Sequence, residues 1–214
     1  MRGASIPPVH LITDRALAAD LPARVREASR GLPRGRIAFH LREKDLGGRA
    51  LLALARALRR ACDEAGQLLV VNDRLDVAVA AGADVVHLPA AGISAAEARR
   101  LLGPGALVGS SCHSRADVEA ALAGGASYAT FSPIYDTPSK RPYGPPVGVE
   151  ALRDAVAVGL PLVALGGIDA VTAPEVRAAG AAGVAAIRAW LVGEDPAAAV
   201  RALAGPEAAS RRRP

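Results

Sequence analysis

Residues 68–88 read LLVVNDRLDVAVAAGADVVHL, and the fold follows from them. Two short runs, Leu68–Val71 and Val85–Leu88, are apolar at nearly every position. A strand with one wet face would alternate; a continuous run needs cover on both faces, as in a parallel sheet wrapped by helices. The alanine-rich stretch between the runs has helical texture and stops at Gly82-Ala83-Asp84, where glycine can end a helix in a left-handed conformation. Strand, helix, glycine stop and strand make one right-handed crossover unit.

Working outward, the unit recurs along the chain. Further runs are Val9–Thr13, Ile37–Arg42, Ala106–Gly109, Tyr128–Phe131, Pro161–Leu165 and Gly183–Ile187. Helical spacing fills the gaps, as in Ala50–Ala65, Ala95–Leu102, Ala116–Ala123 and Ala173–Ala179. Gly124-Gly125-Ala126 and Gly180-Ala181-Ala182 repeat the glycine stop. Eight such units in about 200 residues predict an α/β single-domain (β/α)8 TIM barrel. An open, doubly wound sheet would usually carry GxGxxG after its first strand, where this chain has Asp14-Arg15-Ala16-Leu17. The expected organisation is an N-terminal extension over 1–8, the barrel over 9–204 and a basic tail over 205–214. The long irregular stretch Asp136–Gly148 is expected to be a lid over the catalytic face.

Composition narrows the function. Hydrophobic residues make up 51% but aromatics only 3%, so alanine, leucine, valine and glycine build the core. The net charge of +5 is spread over helix faces such as Arg56, Arg59 and Arg60 and the tail Arg211 to Arg213. A nucleic-acid surface would cluster its cations among stacking aromatics, so no nucleic acid is expected. No apolar run approaches the roughly 20 residues of a membrane span, and Met1–Pro8 lacks a signal-peptide core, so a cytoplasmic location and no membrane partner are expected. Cys62 and Cys112 have no metal-ligand spacing and read as free thiols.

In this fold the strand ends and the loops after them make the site. Strand 2 runs into His40, Arg42 and Lys44, which alternation turns to one side. Strand 3 ends at Asn72 and Asp73, strand 5 at Ser111, Cys112 and His113, and strand 6 leads to Thr137, Ser139 and Lys140. All four histidines fall in strands or at strand ends, which reads as a functional gathering. Two cations beside each other on strand 2 call for an anion between them; the alternative is local neutralisation by Glu43 and Asp73. Gly166-Gly167 after strand 7, with Val184, Ile187 and Arg188 around strand 8, have the make-up of a phosphate cradle.

The strings HLITD (10–14), FHLREKD (39–45), LLVVNDRLDVAVAAGADVVHLP (68–89), VGSSCHS (108–114), FSPIYDTPSKRP (131–142), PVGV (146–149) and LVALGGID (162–169) resemble the thiamine-phosphate synthase and thiazole tautomerase family from about His10 to Leu203. The resemblance implies a (β/α)8 barrel in thiamine biosynthesis acting on a phosphorylated thiazole, with Gly148 among the substrate contacts. The synthase joins a pyrimidine diphosphate to thiazole phosphate using Mg²⁺; the tautomerase aromatises a thiazole carboxylate phosphate without metal. His40 stands where the synthase pattern Q-x-R-x-K has glutamine, as in the tautomerase branch. Asp73 matches one Mg²⁺ ligand, but Gly92 stands where the second aspartate belongs. The favoured expectation is therefore a tautomerase with His113 as acid/base, needing no cofactor. The alternative is a synthase with Mg²⁺ at Asp73. A non-catalytic sensor of phosphorylated ligands is the reading from another class, and homodimerisation is left open.

Overall fold

The computed structural model describes residues 6–137 and 145–205. The order is β1 (Val9–Ile12), α1 (Leu21–Ala28), β2 (Ile37–Leu41), α2 (Gly48–Ala65), β3 (Leu68–Asn72), α3 (Leu75–Ala81), β4 (Val85–Leu88) and α4 (Ala95–Leu102). It continues with β5 (Leu107–Cys112), α5 (Arg115–Ala123), β6 (Tyr128–Phe131), α6 (Gly148–Val156), β7 (Leu162–Leu165), α7 (Ala173–Ala178), β8 (Gly183–Ala186), the single-turn α8 (Arg188–Leu191) and α9 (Pro196–Ala204). All eight strands are parallel, each paired with the next, and β8 closes on β1 through Val9 opposite Val184. The chain is a (β/α)8 barrel.

Local chemistry explains the units. Ser94 and Ser114 each cap a helix with a reciprocal box, to Glu97 and Asp117, which satisfies two otherwise orphaned amides. Gly82 ends α3 at φ +66°, as its place before β4 requires. The main core lies between strands and helices, where Val9, Leu11, Phe39, Leu69, Val71 and Phe131 point outward. Trp190 of α8 fills its far end, edge-on to Phe39 at 5.5 Å, and donates its indole N–H to the Ile12 carbonyl at 3.1 Å.

The opposite faces of the strands fill the barrel itself. Ile12, Ala38, Val70, Val85, Tyr128, Val163 and Ala185 form a second, smaller apolar cluster. Between them sit His10, His40 and His87, only 1%, 2% and 4% exposed. Three of the four histidines thus belong to the barrel interior, correcting their reading as a gathering at the rim. Period-2 alternation gives a residue's face; it does not give its depth along the strand.

Candidate active site

Because every strand is parallel, Arg42, Lys44, Asn72, Asp73, His113, Gly166-Gly167 and Arg188 all follow carboxyl ends and share one mouth of the barrel. The first two loops are joined there. The Thr13 amide donates to the His40 carbonyl at 2.9 Å, and the Arg42 amide to the Thr13 hydroxyl at 3.0 Å. Arg42 and Lys44 are exposed, while Glu43 between them turns back and is buried. Glu43 pairs with Arg15 at 3.3 Å, and Arg15 reaches Asp45 at 2.5 Å. Among the described residues neither Arg42 nor Lys44 has an ion-pair partner, so Glu43 does not neutralise them. Asn72 lies level with His87, on the inward face, and the Asp73 amide donates to the His87 carbonyl at 2.8 Å. Asp73 holds φ +69°, a left-handed conformation that aspartate tolerates better than most residues.

Beneath the mouth lies a polar network that the sequence reading did not assemble. His10 Nδ1 and His40 Nε2 are 2.8 Å apart, and His10 Nε2 donates to the Pro7 carbonyl at 3.1 Å. His87 Nδ1 meets the Tyr128 hydroxyl at 3.1 Å, and its Nε2 meets the Ser111 and Thr130 hydroxyls at 3.0 and 3.3 Å. The His40 and His87 rings stand 5.3 Å apart. Burial, with the charge of neighbouring His87, lowers His10 to about 3. Burial and then Arg42 lower His87 to about 4, and burial with the two other rings lowers His40 well below its usual range. All three rings are neutral at pH 7. The visible signal was polar residues at alternate positions of otherwise apolar strands: His10, His40, His87, Tyr128 and Thr130.

On the far side of the mouth, Gly166 and Gly167 hold φ +100° and +69°. A Cβ on Gly166 would lie 2.8 Å from Pro133 Cα, and one on Gly167 would lie 2.7 Å from Tyr135 Cβ. The bare backbone admits the segment after β6, whose Ile134 and Tyr135 amides donate to the Leu165 and Gly166 carbonyls at 3.0 Å. His113 is exposed; its Nδ1 donates to the Ser132 carbonyl at 2.6 Å, tying the β5 loop to the same segment. The Gly148 amide donates to the Ile134 carbonyl at 3.2 Å, and the buried Thr137 hydroxyl has no hydrogen-bond partner among the described residues. The Val184 side chain packs in the outer core, so only its backbone faces a ligand at this end; Ile187 caps the barrel interior, and Arg188 opens α8. Ser139, Lys140, the middle of the Asp136–Gly148 stretch expected to form a lid, and the tail Arg211 to Arg213 lie outside the described residues.

The donors present do not fit a Mg²⁺ held by the protein alone. Mg²⁺ asks for an octahedron of oxygens, whereas no group of three His, Cys, Asp or Glu side chains converges among the described residues. A side chain in place of Gly92 would begin 2.9 Å from the Pro89 ring, in a turn closed by the Gly92 amide on the Pro89 carbonyl. The missing carboxylate is thus also a position with little space for one.

Fold and site define a (β/α)8-barrel protein with an unpaired cationic edge on one side of its mouth and a glycine-lined turn on the other. The family model described as thiamine monophosphate synthase matches residues 9–190. A Geobacter sulfurreducens protein, provisionally named a thiamine-phosphate synthase, is 51% identical over 91% of this chain and 92% of its own length. A thiamine-phosphate synthase of Methanoculleus marisnigri is 52% identical over 77% of this chain and 79% of its own. The solved thiamine phosphate pyrophosphorylase of Pyrococcus furiosus superposes with a TM-score of 0.82 at 31% identity, covering 94% of this chain and 95% of its own. The chain belongs to the thiamine monophosphate synthase family. These relatives support the synthase alternative, and the favoured expectation of a tautomerase finds no support among them. No helix among the described residues is long and apolar enough to cross a membrane.

Proposed function

We propose that this chain is a thiamine-phosphate synthase, a transferase joining a pyrimidine carried on diphosphate to thiazole phosphate. In the site, the observation that carries this reading is the unpaired Arg42–Lys44 edge, left cationic because Glu43 is engaged by Arg15. The C–O bond between the pyrimidine methylene and diphosphate breaks, and its electron pair leaves with the diphosphate. The thiazole nitrogen then supplies the pair that forms the new C–N bond. Negative charge grows on the leaving group, where fixed cations stabilise a transition state most. Arg42 grips two oxygens in a planar fork and Lys44 adds a point charge. Asn72 and Ser111 supply neutral polar contacts on the floor. The backbone at Gly166, Gly167, Val184, Ile187 and Arg188 holds the thiazole phosphate, and Thr137 and Gly148 border it. The family resemblance adds Ser139 and Lys140 to the substrate contacts. Mg²⁺, which the family resemblance implies, would have Asp73 as its one protein carboxylate and would neutralise diphosphate charge there. His113 orders the β5 and β6 loops.

The test incubates purified protein with both phosphorylated substrates and Mg²⁺ and measures thiamine phosphate by its fluorescent oxidation product. Parallel reactions supply thiazole carboxylate phosphate alone, followed by ultraviolet absorbance. Thiamine phosphate formation supports the reading. Isomerisation without condensation, or saturable binding without turnover, refutes it.

A further inference from the structure

The geometry points to His87 and Tyr128 as positioning residues that fix the Ser111 hydroxyl as a hydrogen-bond donor into the barrel mouth. The inference deepens the proposed synthase reading and starts from the layer in which these groups sit. His87 on β4, Gly109 on β5 and Tyr128 on β6 are consecutive partners across the sheet. An ordinary residue between them would keep the two rings apart. A Cβ on Gly109 would fall 2.6 Å from His87 Nδ1 and about as close to the Tyr128 ring, so the missing side chain is what lets them meet. One turn of the pleat nearer the mouth, Ser111 closes on the other ring nitrogen.

Two buried hydroxyls compete for the one bare nitrogen of the neutral His87 ring, Tyr128 at Nδ1 and Thr130 at Nε2. Tyr128 is 1% exposed, burial holds its phenol neutral, and its oxygen has no partner but His87 Nδ1 among the described residues. A buried O–H left without an acceptor is costly, and the shorter contact, 3.1 Å for the phenol against 3.3 Å for Thr130, makes the phenol the donor to Nδ1. Nδ1 is then bare, and the neutral ring carries its proton on Nε2. That N–H donates to the Ser111 oxygen, with Thr130 sharing it at 3.3 Å. Ser111 can no longer use the ring as an acceptor. Its own hydrogen is directed to whatever occupies the mouth, which suits an acceptor atom such as a diphosphate oxygen or an unprotonated ring nitrogen. The direction of a hydroxyl at the site is thereby set by a phenol buried beneath it.

The test is a pair of measurements on the full chain. Nitrogen-15 labelling of histidine reports the ring tautomers, with His87→Gln assigning the His87 signals. At pH 7 the wild type should show His87 protonated at Nε2 only. Tyr128→Phe, which keeps the ring and removes the donor, should bring up the Nδ1–H form. A wild-type ring protonated at Nδ1 or at both nitrogens, or no change in Tyr128→Phe, overturns the inference. This arm needs no substrate and stands even if the protein proves not to condense the two rings. In the condensation assay, Tyr128→Phe and Ser111→Ala should each lower kcat/KM by about tenfold, the scale of one oriented hydrogen bond. The double variant should lose little more than either alone, because both remove one donated bond. Independent, multiplying losses would show that Tyr128 does not act through Ser111.

Discussion

Acidification should unfold this barrel well above the pH at which its carboxylates protonate, and the interior histidines set the size of the effect. In the folded chain His10 and His87 hold pKa values of about 3 and about 4, against an ordinary 6.5, and His40 is lowered as well. The folded rings stay neutral while the unfolded chain takes up protons below pH 6.5. The unfolded state therefore binds more protons, and stability falls as pH falls. The contribution is complete above 6.5 and is lost progressively down to about 4 for His87 and about 3 for His10. Each group costs about 1.4 kcal/mol per pH unit inside that window. At pH 5, 1.5 units below 6.5, this is about 2 kcal/mol per ring, so about 4 kcal/mol for His10 and His87, and His40 adds in the same direction. Domain stabilities of about 5–15 kcal/mol put such a loss near the point of unfolding. Urea titrations at pH 7.5 and pH 5 measure it, and His87→Gln should reduce the loss between them by about 2 kcal/mol. Asp45, Glu64, Asp76, Glu97 and Asp169 are held below their ordinary values by arginines, caps and turns, so their losses come at lower pH. A wild-type loss under about 1 kcal/mol between the two pH values would refute the argument.

Gly109→Ala places a methyl among the buried rings of His87 and Tyr128; overpacking of this kind costs about 1–3 kcal/mol, and losing their hydrogen bond adds about 1 more, read as a lower urea midpoint. Gly166→Ala should cost about 1–3 kcal/mol from its left-handed conformation and also push Pro133 away, so limited proteolysis should cut faster in the segment after β6. Arg42→Ala should weaken inorganic diphosphate binding by roughly tenfold to a hundredfold in calorimetry, as for a charge-assisted contact. Unchanged affinity would move the leaving-group site away from β2.

Much of this molecule was legible in one dimension. A strand covered on both faces needs apolar residues at every position, so the eight runs stood out, and their bounds moved by only a residue or so except at β5, which extends through Ser110, Ser111 and Cys112. That extension is polar, because the strand end lines the mouth, and an apolar run could not reveal it. The order of strands and the shared rim for Arg42, His113 and Gly166-Gly167 also followed from sequence, since parallel crossovers leave one end for all the loops.

Partnership among side chains was not legible. The sequence put Glu43 between two cations, yet adjacent residues on a strand point apart, and closure of β1 against β2 delivers Arg15 to it instead. The histidines carried the right face but the wrong depth, because depth depends on the stagger of neighbouring strands around the closed barrel. That stagger sets His87 and Tyr128 on either side of Gly109, residues 87, 128 and 109 being far apart in the chain. Sequence periodicity fixes what a residue faces across its own strand. Only closure of the sheet decides which distant groups meet there, and so which protons the site can offer.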